Sequence, residues 1–215
     1  MASIRILSGH GRYSDPWHPF PETSAAVQRI LTAAGHDVEV RDSEPSALAD
    51  LTPVDLLVVN TGGAHVKDAA PPEWALAHEA LGAYIDGGGR VLGLHTAAAT
   101  FPDWPRWREL IGGRWGERAF HPEIGTATFD PSPGATDHPV WTGLESVTAF
   151  DERYSGLDRA DDAVALVQHV TDGTVEVMGW ARGRLVYDGL GHDARSYESE
   201  SRCRLLLNEV AWLLR

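Results

Sequence analysis

Short runs of strand length recur along the first half of the chain, and two of them, residues 54–60 and 90–94, are apolar almost throughout, as expected for strands buried on both faces. Amphipathic stretches separate most of these runs. Strands that alternate with helices favour parallel pairing, so the runs predict the parallel part of a sheet with helices on both faces. The four runs occupy residues 4–8, 36–40, 54–60 and 90–94.

Two of the amphipathic stretches have the period of a helix. In the first, apolar residues fall at i, i+3, i+4 and i+7, which predicts a helix that is capped by Thr23 or Ser24 and ends near Ala34. In the second, a Pro-Pro-Glu start and an apolar stripe predict a helix over residues 71–85. Both helices have one apolar face that can pack on the sheet.

The second half of the chain is richer in strands. An Arg182-Gly183 turn predicts an antiparallel hairpin, and a last apolar stripe predicts a helix over residues 198–214. Since no linker or repeat interrupts the chain, we predict one domain over residues 1–215. Its fold is a three-layer α/β sandwich, flavodoxin-like, with a mostly parallel sheet and an antiparallel extension. The later strands are predicted at residues 121–130, 147–154, 163–170, 174–181 and 185–189.

The stretch around His95 has the pattern of a strand-to-helix corner. Three glycines at residues 87–89 end the preceding helix, the apolar run follows, and His95 comes directly after it. A polar side chain at such a corner lies at the carboxyl ends of parallel strands, where open α/β sheets bind their ligands. A structural role, with the ring bonded to the backbone, is the alternative for this histidine.

Residues 93–97, Gly-Leu-His-Thr-Ala, resemble the nucleophile elbow Gly-x-Cys-x-Gly of class I glutamine amidotransferases. Histidine stands here in the position of the cysteine. Because imidazole cannot replace a thiolate as the acceptor of the glutamyl group, the pattern argues against amidotransferase activity. The small residues after His95 are suited to starting another helix.

Composition and charge exclude several classes of protein. Of the 215 residues, 43% are hydrophobic and 23% charged, which is ordinary for a globular protein. The net charge of −13 argues against binding nucleic acid or anionic membranes through bulk electrostatics. A single cysteine, Cys203, excludes an internal disulfide and a cysteine-rich zinc site. The first residues lack a signal-peptide pattern, so we expect a cytoplasmic protein.

Four polar residues are candidate catalytic groups because each lies at or just beyond the end of a predicted strand: His10, His95, Glu152 and His192. Neighbouring parallel strands would bring them to one edge of the sheet. Such a cluster has two chemical uses. It can transfer protons, with Glu152 as the base and a histidine as the acid, or it can bind a divalent metal such as zinc.

The sequence leaves those two uses open, since it contains no closely spaced pair of metal ligands. For Glu152, an ion pair with Arg153 is a further alternative. Other side chains are candidates for contacting the substrate around the cluster. They are Tyr154, His121, His18 and Trp180.

Several short motifs occur together in an order that resembles the ThuA-like (trehalose utilisation) family, within the class I glutamine amidotransferase-like superfamily. The resemblance extends over almost the whole chain. Each motif is weakly specific, and their order is what identifies the family. The motifs are Gly9-His10, Gly93-Leu94-His95, Leu110-Ile111-Gly112-Gly113, Asp137-His138-Pro139-Val140, Asp151-Glu152-Arg153-Tyr154, and Trp180-x-x-Gly183-Arg184-Leu185-Val186-Tyr187 leading to Gly191-His192.

This resemblance implies a role in sugar or disaccharide catabolism, with a small carbohydrate or keto-sugar as the partner and without amidotransferase activity. A non-catalytic carbohydrate-binding or regulatory module on a degenerate amidotransferase fold is the alternative. No nucleic-acid or membrane partner is expected, and assembly into a homo-oligomer is left open. A catalyst needs its His and Glu groups within reach of one substrate atom, whereas a binding module needs only stacking and hydrogen bonds.

Overall fold

Nine of the eleven strands form one sheet, and the other two form a small separate ladder. The computed structural model describes residues 1–215. The strands, in chain order, are β1 (Ser3–Ser8), β2 (Asp37–Asp42), β3 (Leu56–Asn60), β4 (Val91–Leu94), β5 (Gly113–Arg114), β6 (Gly125–Pro131), β7 (Val147–Asp151), β8 (Asp158–Arg159), β9 (Val164–Thr171), β10 (Thr174–Arg182) and β11 (Leu185–Asp188).

The strand order in the large sheet is β2-β1-β3-β4-β11-β10-β9-β6-β7. The first five strands are parallel to one another, and the remaining pairs are antiparallel. The predicted fold, a mostly parallel sheet with an antiparallel extension, is therefore confirmed. Because β11 returns beside β4, the segments that follow these two strands meet at one edge of the sheet.

Helices cover both faces of the sheet, and the pleat of the strands divides the core accordingly. In β3, Leu56 and Val58 face one core cluster, while Leu57 and Val59 face the other. The helices are α1 (Phe20–Ala33), α2 (Pro45–Leu48), α3 (Pro72–Asp86), α4 (Arg106–Ile111) and α5 (Glu200–Leu213). The first cluster contains residues of α1 and α5, and the second contains residues of α3 and α4.

The first helix begins three residues before the predicted cap. Thr23 and Ser24 are buried inside α1, where the side-chain amide of Asn60 donates a hydrogen bond of 2.9 Å to each hydroxyl. These hydroxyls tie α1 to β3 instead of capping the helix. The helix starts at Phe20 with a proline in its first turn, a position that needs no backbone N–H donor.

Two boundaries near the site also differ from the prediction. The residues after β4 form one 3-10 helix, His95–Ala99, and α4 begins only at Arg106. Strand β7 ends at Asp151, so Glu152 lies in the segment that leaves the sheet. None of the helices has the length and hydrophobicity required to cross a lipid bilayer.

Candidate functional site

His95 stands at the corner between β4 and the 3-10 helix. Its φ of 45° is a left-handed conformation that residues other than glycine seldom adopt. Two hydrogen bonds hold the corner. His95 Nδ1–H donates to the Gly189 carbonyl over 2.7 Å, and the Tyr187 hydroxyl donates to the His95 carbonyl over 2.9 Å. Because a carbonyl only accepts, Nδ1 carries a proton, and Nε2 is left for another partner.

Glu152 is surrounded by three imidazoles. Its Oε2 lies 3.3 Å from His95 Nε2 and 3.2 Å from His192 Nδ1. Its Oε1 lies 3.4 Å from His121 Nδ1. Glu152 and His95 are buried, whereas the side chain of His121 is 42% exposed. The structure thus brings His95, Glu152 and His192 together, with His121 at the outer side of the carboxylate.

His18 reaches the same cluster from the loop before α1. The centre of its ring lies 5.1 Å from that of His95 and 4.9 Å from that of His192. Asp15 holds His18 in place, since its Oδ1 accepts from His18 Nδ1–H over 2.7 Å and from the backbone N–H of His18 over 3.1 Å. His18 Nε2 is buried and has no hydrogen-bond partner.

Asp151 organises the backbone around the cluster. Its carboxylate accepts hydrogen bonds from the backbone N–H groups of Glu152, Gly191 and His192, over 2.9, 2.8 and 3.1 Å. Asp151 ends β7, and the other two residues follow β11. One buried carboxylate therefore fixes the two segments that carry Glu152 and His192.

A cavity of about 510 Å³ opens over the cluster. Its walls combine polar groups with aromatic rings. The ring of Tyr154 stacks on His95 with 4.2 Å between centroids, and Trp115 meets Tyr154 edge-on at 4.5 Å. Trp17, 70% exposed, stands at the mouth. The other lining residues are Asp15, His18, Gly62, Gly63, Ala64, His65, Thr96, Ala99, His121, Glu152 and His192.

The cluster changes the acidity of its members. Burial by itself raises the pKa of Glu152, but the adjacent imidazoles of His192 and His95 outweigh it and hold the pKa well below its usual range. Burial lowers the pKa of His192, and Glu152 more than reverses that effect, so the pKa of His192 is raised. Burial lowers the pKa of His18 in spite of Asp15. Glu152 is thus an ionised acceptor.

The family model for ThuA, described as trehalose utilisation, matches residues 7–213. The chain belongs to the ThuA family. Membership supports a role related to trehalose utilisation. A comparison with curated proteins finds no match.

Solved structures share the fold of this ThuA protein at low sequence identity. A ThuA-like protein from Parabacteroides merdae is 19% identical, with a TM-score of 0.80 over 99% of this chain and 90% of that one. A ThuA-like protein from Bacteroides uniformis is 15% identical, with a TM-score of 0.77 over 98% and 90%. A glutamine amidotransferase from Thermotoga maritima is 11% identical, with a TM-score of 0.64 over 100% and 98%.

Two of the predicted site residues of this ThuA protein lie outside the cluster. The loop after β1 is tied to the loop after β2 by hydrogen bonds between the His10 backbone and Ser43, and the His10 imidazole lies 3.9 Å from Glu44, largely exposed. Trp180 is fully buried, and its Nε1–H donates to the Ile111 carbonyl over 2.8 Å. Neither residue lines the cavity, so the structure does not bring them to the cluster.

Three residues that support the cluster were not predicted as site residues from the sequence: Asp15, Asp151 and Gly189. Each acts through backbone groups or a single ring nitrogen, and Asp151 was noted only as the first residue of the Asp151-Glu152-Arg153-Tyr154 motif. For Asp15 a local signal exists, because its Oδ1 accepts from the backbone N–H of Trp17, two residues on, in an Asx turn, and also from the N–H of His18. For Gly189 there is none, since its carbonyl acts across the pairing of β11 with β4.

Proposed function

We propose that this ThuA protein is an enzyme that acts on a small carbohydrate or on its oxidised keto form, through the His–Glu cluster at the floor of the cavity. The observation that carries the proposal is the placement of Glu152 between His95 and His192, all three buried or half-buried under an open cavity. Clusters of titratable groups with perturbed pKa values in a cleft are typical of active sites.

The cavity suits a sugar in size and in chemistry. Its volume of about 510 Å³ lies within the range of ~300–1,000 Å³ that small-molecule sites have. Aromatic rings at its mouth and wall, Trp17 and Trp115, offer apolar faces on which a pyranose ring can stack. The carboxylates and imidazoles of the floor offer hydrogen bonds to hydroxyl or carbonyl groups. The family's link to trehalose utilisation agrees with this substrate class.

Within the cluster, the imidazoles are better suited than Glu152 to move protons. A carboxylate whose pKa lies far below neutrality is a weak base, whereas a histidine with a raised pKa exchanges its proton near neutral pH. In the cluster without a metal ion, His192 exchanges a proton with the substrate, and Glu152 supplies the negative charge that orients it. This differs from the proton-transfer alternative predicted from the sequence, in which Glu152 is the base.

The chemistry differs from that of the amidotransferases that share the fold. His95 occupies the strained corner, and no cysteine or serine stands beside it in residues 93–97. The two polar contacts of His95 hold the histidine itself, since its Nδ1–H donates to the Gly189 carbonyl and its own carbonyl accepts from the Tyr187 hydroxyl. The residues therefore favour proton transfer or metal-assisted chemistry over a covalent acyl intermediate.

A non-catalytic carbohydrate-binding module is the second candidate. The weak basicity of Glu152 favours it, because a binding site needs an acceptor for hydroxyl groups and no proton transfer. The two candidate functions differ in whether the protein converts the bound sugar into a product.

The test is incubation of the purified protein with trehalose and with its singly oxidised keto form, followed by NMR of the sugar. We expect turnover with the wild type and a loss of about 10²–10⁴-fold in His192→Gln, the usual contribution of general acid–base catalysis. His36→Gln is the matched control. His36 precedes β2, at the sheet edge opposite the cluster, and its variant should keep full activity. Saturable binding without any change in the sugar would overturn the enzyme assignment and support the binding module.

A further inference from the structure

Three buried imidazole nitrogens in the cluster lack a hydrogen-bond partner: His18 Nε2, His95 Nε2 and His192 Nδ1. The last two approach Glu152 Oε2 closely but form no hydrogen bond with it. Unsatisfied buried nitrogens are costly, at about 1–3 kcal/mol each. Three of them around one carboxylate indicate that the cluster holds a further group.

The spacing of the donor atoms fits a metal ion. In a tetrahedral site with bonds of ~2.0–2.1 Å, neighbouring ligand atoms lie about 3.4 Å apart. Glu152 Oε2 lies 3.3 Å from His95 Nε2 and 3.2 Å from His192 Nδ1, close to that edge length. The donor atoms of all four residues, including His18, lie within 4.8 Å of one another.

The hydrogen bonds on the far side of two rings have the pattern of a metal centre. A histidine ligand almost always donates its other ring N–H to a carboxylate or a backbone carbonyl, which fixes the ring and leaves the first nitrogen with its lone pair free. His18 Nδ1 is paired with Asp15, and His95 Nδ1 with the Gly189 carbonyl. Both pairings leave Nε2 as the coordinating atom.

We infer that His18, His95, Glu152 and His192 bind one divalent transition-metal ion of the zinc class. Three imidazoles and one carboxylate match the ligands that zinc and its first-row neighbours prefer, whereas magnesium and calcium prefer oxygen. The cavity side of the ion remains open to a substrate atom. The inference rests on the proposed function. With an ion bound, His192 acts as a ligand instead of a proton donor, and the ion would polarise a sugar carbonyl or hydroxyl oxygen.

Zinc alone serves as the probe, with no sugar present. The protein is stripped with a chelator, dialysed and titrated with zinc by calorimetry, and metal content is measured after gel filtration. We expect one zinc per chain. The same titration with cobalt(II) reports the coordination geometry through its visible absorption, and magnesium should not compete.

Four variants locate the ion. His18→Gln and His95→Gln each remove a ligand and should lower zinc affinity by more than about 100-fold, and Asp15→Ala, which removes an outer partner, by about 10–100-fold. His36→Gln, at the opposite edge of the sheet, should leave the affinity unchanged. His18 lies in a loop and Asp15 beside it, so these two variants keep the test decisive if the buried His95→Gln variant does not fold.

The outcomes separate this inference from the proposed function. Absence of bound zinc, or equal affinity in wild type and His18→Gln, overturns the metal site, and sugar turnover by the metal-free protein would then leave the proposed function standing. Tight zinc binding that the ligand variants abolish, together with no turnover of trehalose or its keto form, supports the metal site and contradicts the sugar assignment.

Discussion

The Nε2 atom of His95 lies 3.3 Å from Oε2 of Glu152, although the two residues follow different strands, β4 and β7, at separate parts of the sheet. A different hydrogen bond positions each of the two residues. The Gly189 carbonyl fixes the His95 ring, and Asp151 fixes the backbone after β7. The short distance between His95 and Glu152 therefore depends on backbone groups as much as on the two side chains.

Replacing Gly189 should disturb both stability and the His95 ring. A Cβ at this position would meet the backbone oxygen of Met178, which cannot move as a side chain does. We expect Gly189→Ala to lower the free energy of unfolding by about 1–3 kcal/mol or more, the usual effect of overpacking. Urea denaturation measures this. Gly125→Ala is the control, because a Cβ there meets nothing within 4 Å; equal stability of the two variants would contradict the prediction.

His78 should make the stability of the fold sensitive to mild acid. It is buried, its ring stacks on Trp104, and its Nε2 lies 3.1 Å from the Tyr13 hydroxyl, which donates its own proton to Asp103. Burial lowers the pKa of His78 to about 4. Since the folded-state pKa lies below the unfolded value, the neutral ring stabilises the fold fully above about pH 6.5, and that contribution is lost as the pH falls towards about 4.

Urea denaturation at about pH 7 and about pH 5 checks this dependence. We expect the wild type to lose about 2 kcal/mol more than His78→Gln over that interval, from ~1.4 kcal/mol for each unit of pKa shift. The variant is the control for all other titrating groups. If both proteins lose the same free energy, His78 does not titrate as its burial implies.

A buried ion pair should respond differently to the loss of its arginine and to the loss of the acid beside it. Arg202 and Asp188 are both fully buried, with 2.7 Å between Nη2 and Oδ2, and Glu209 lies beside them. Burial raises the pKa of Glu209 well above its usual value, which favours its neutral form. Arg202→Met leaves Asp188 without its cation and should destabilise the protein by about 3–5 kcal/mol.

Glu209→Gln replaces a neutral acid with a neutral amide of the same shape and should change stability by less than about 1 kcal/mol. Thermal unfolding of the two variants distinguishes them. A large loss in Glu209→Gln would indicate that Glu209 is ionised and shares the charge of Arg202.

Trp17 should contribute to sugar binding without supporting the fold. Its ring is 70% exposed at the mouth of the cavity, where it contacts solvent instead of the core. We expect Trp17→Ala to weaken trehalose binding about five-fold, from the loss of about 1 kcal/mol of stacking, with an unchanged melting temperature. Leu76→Ala, an exposed apolar residue on α3, is the control. Isothermal titration measures the affinity, and an equal value for wild type and Trp17→Ala would remove Trp17 from the site.

The local pattern of the chain determined the elements and part of the site. Strand runs and helical stripes depend on neighbouring residues, so periodicity located β3, β4, α3 and α5 and the fold class that they imply. The glycine run and the small residues around His95 determined the strand-to-helix corner for the same reason. His192 and Glu152 could be selected because each follows a strand of recognisable pattern.

Tertiary structure alone decided which strand ends are neighbours. Strand order is set by long-range packing, so β11 lies beside β4 and brings Gly189 and His192 to His95, while β2 lies beside β1 and draws His10 towards Ser43 and Glu44. Trp180 likewise carries the same chemistry whether it faces a cavity or the core, and only the packing of β10 against α4 buries it. A sequence states which side chains end each strand, but the free energy of the whole fold decides which of them meet.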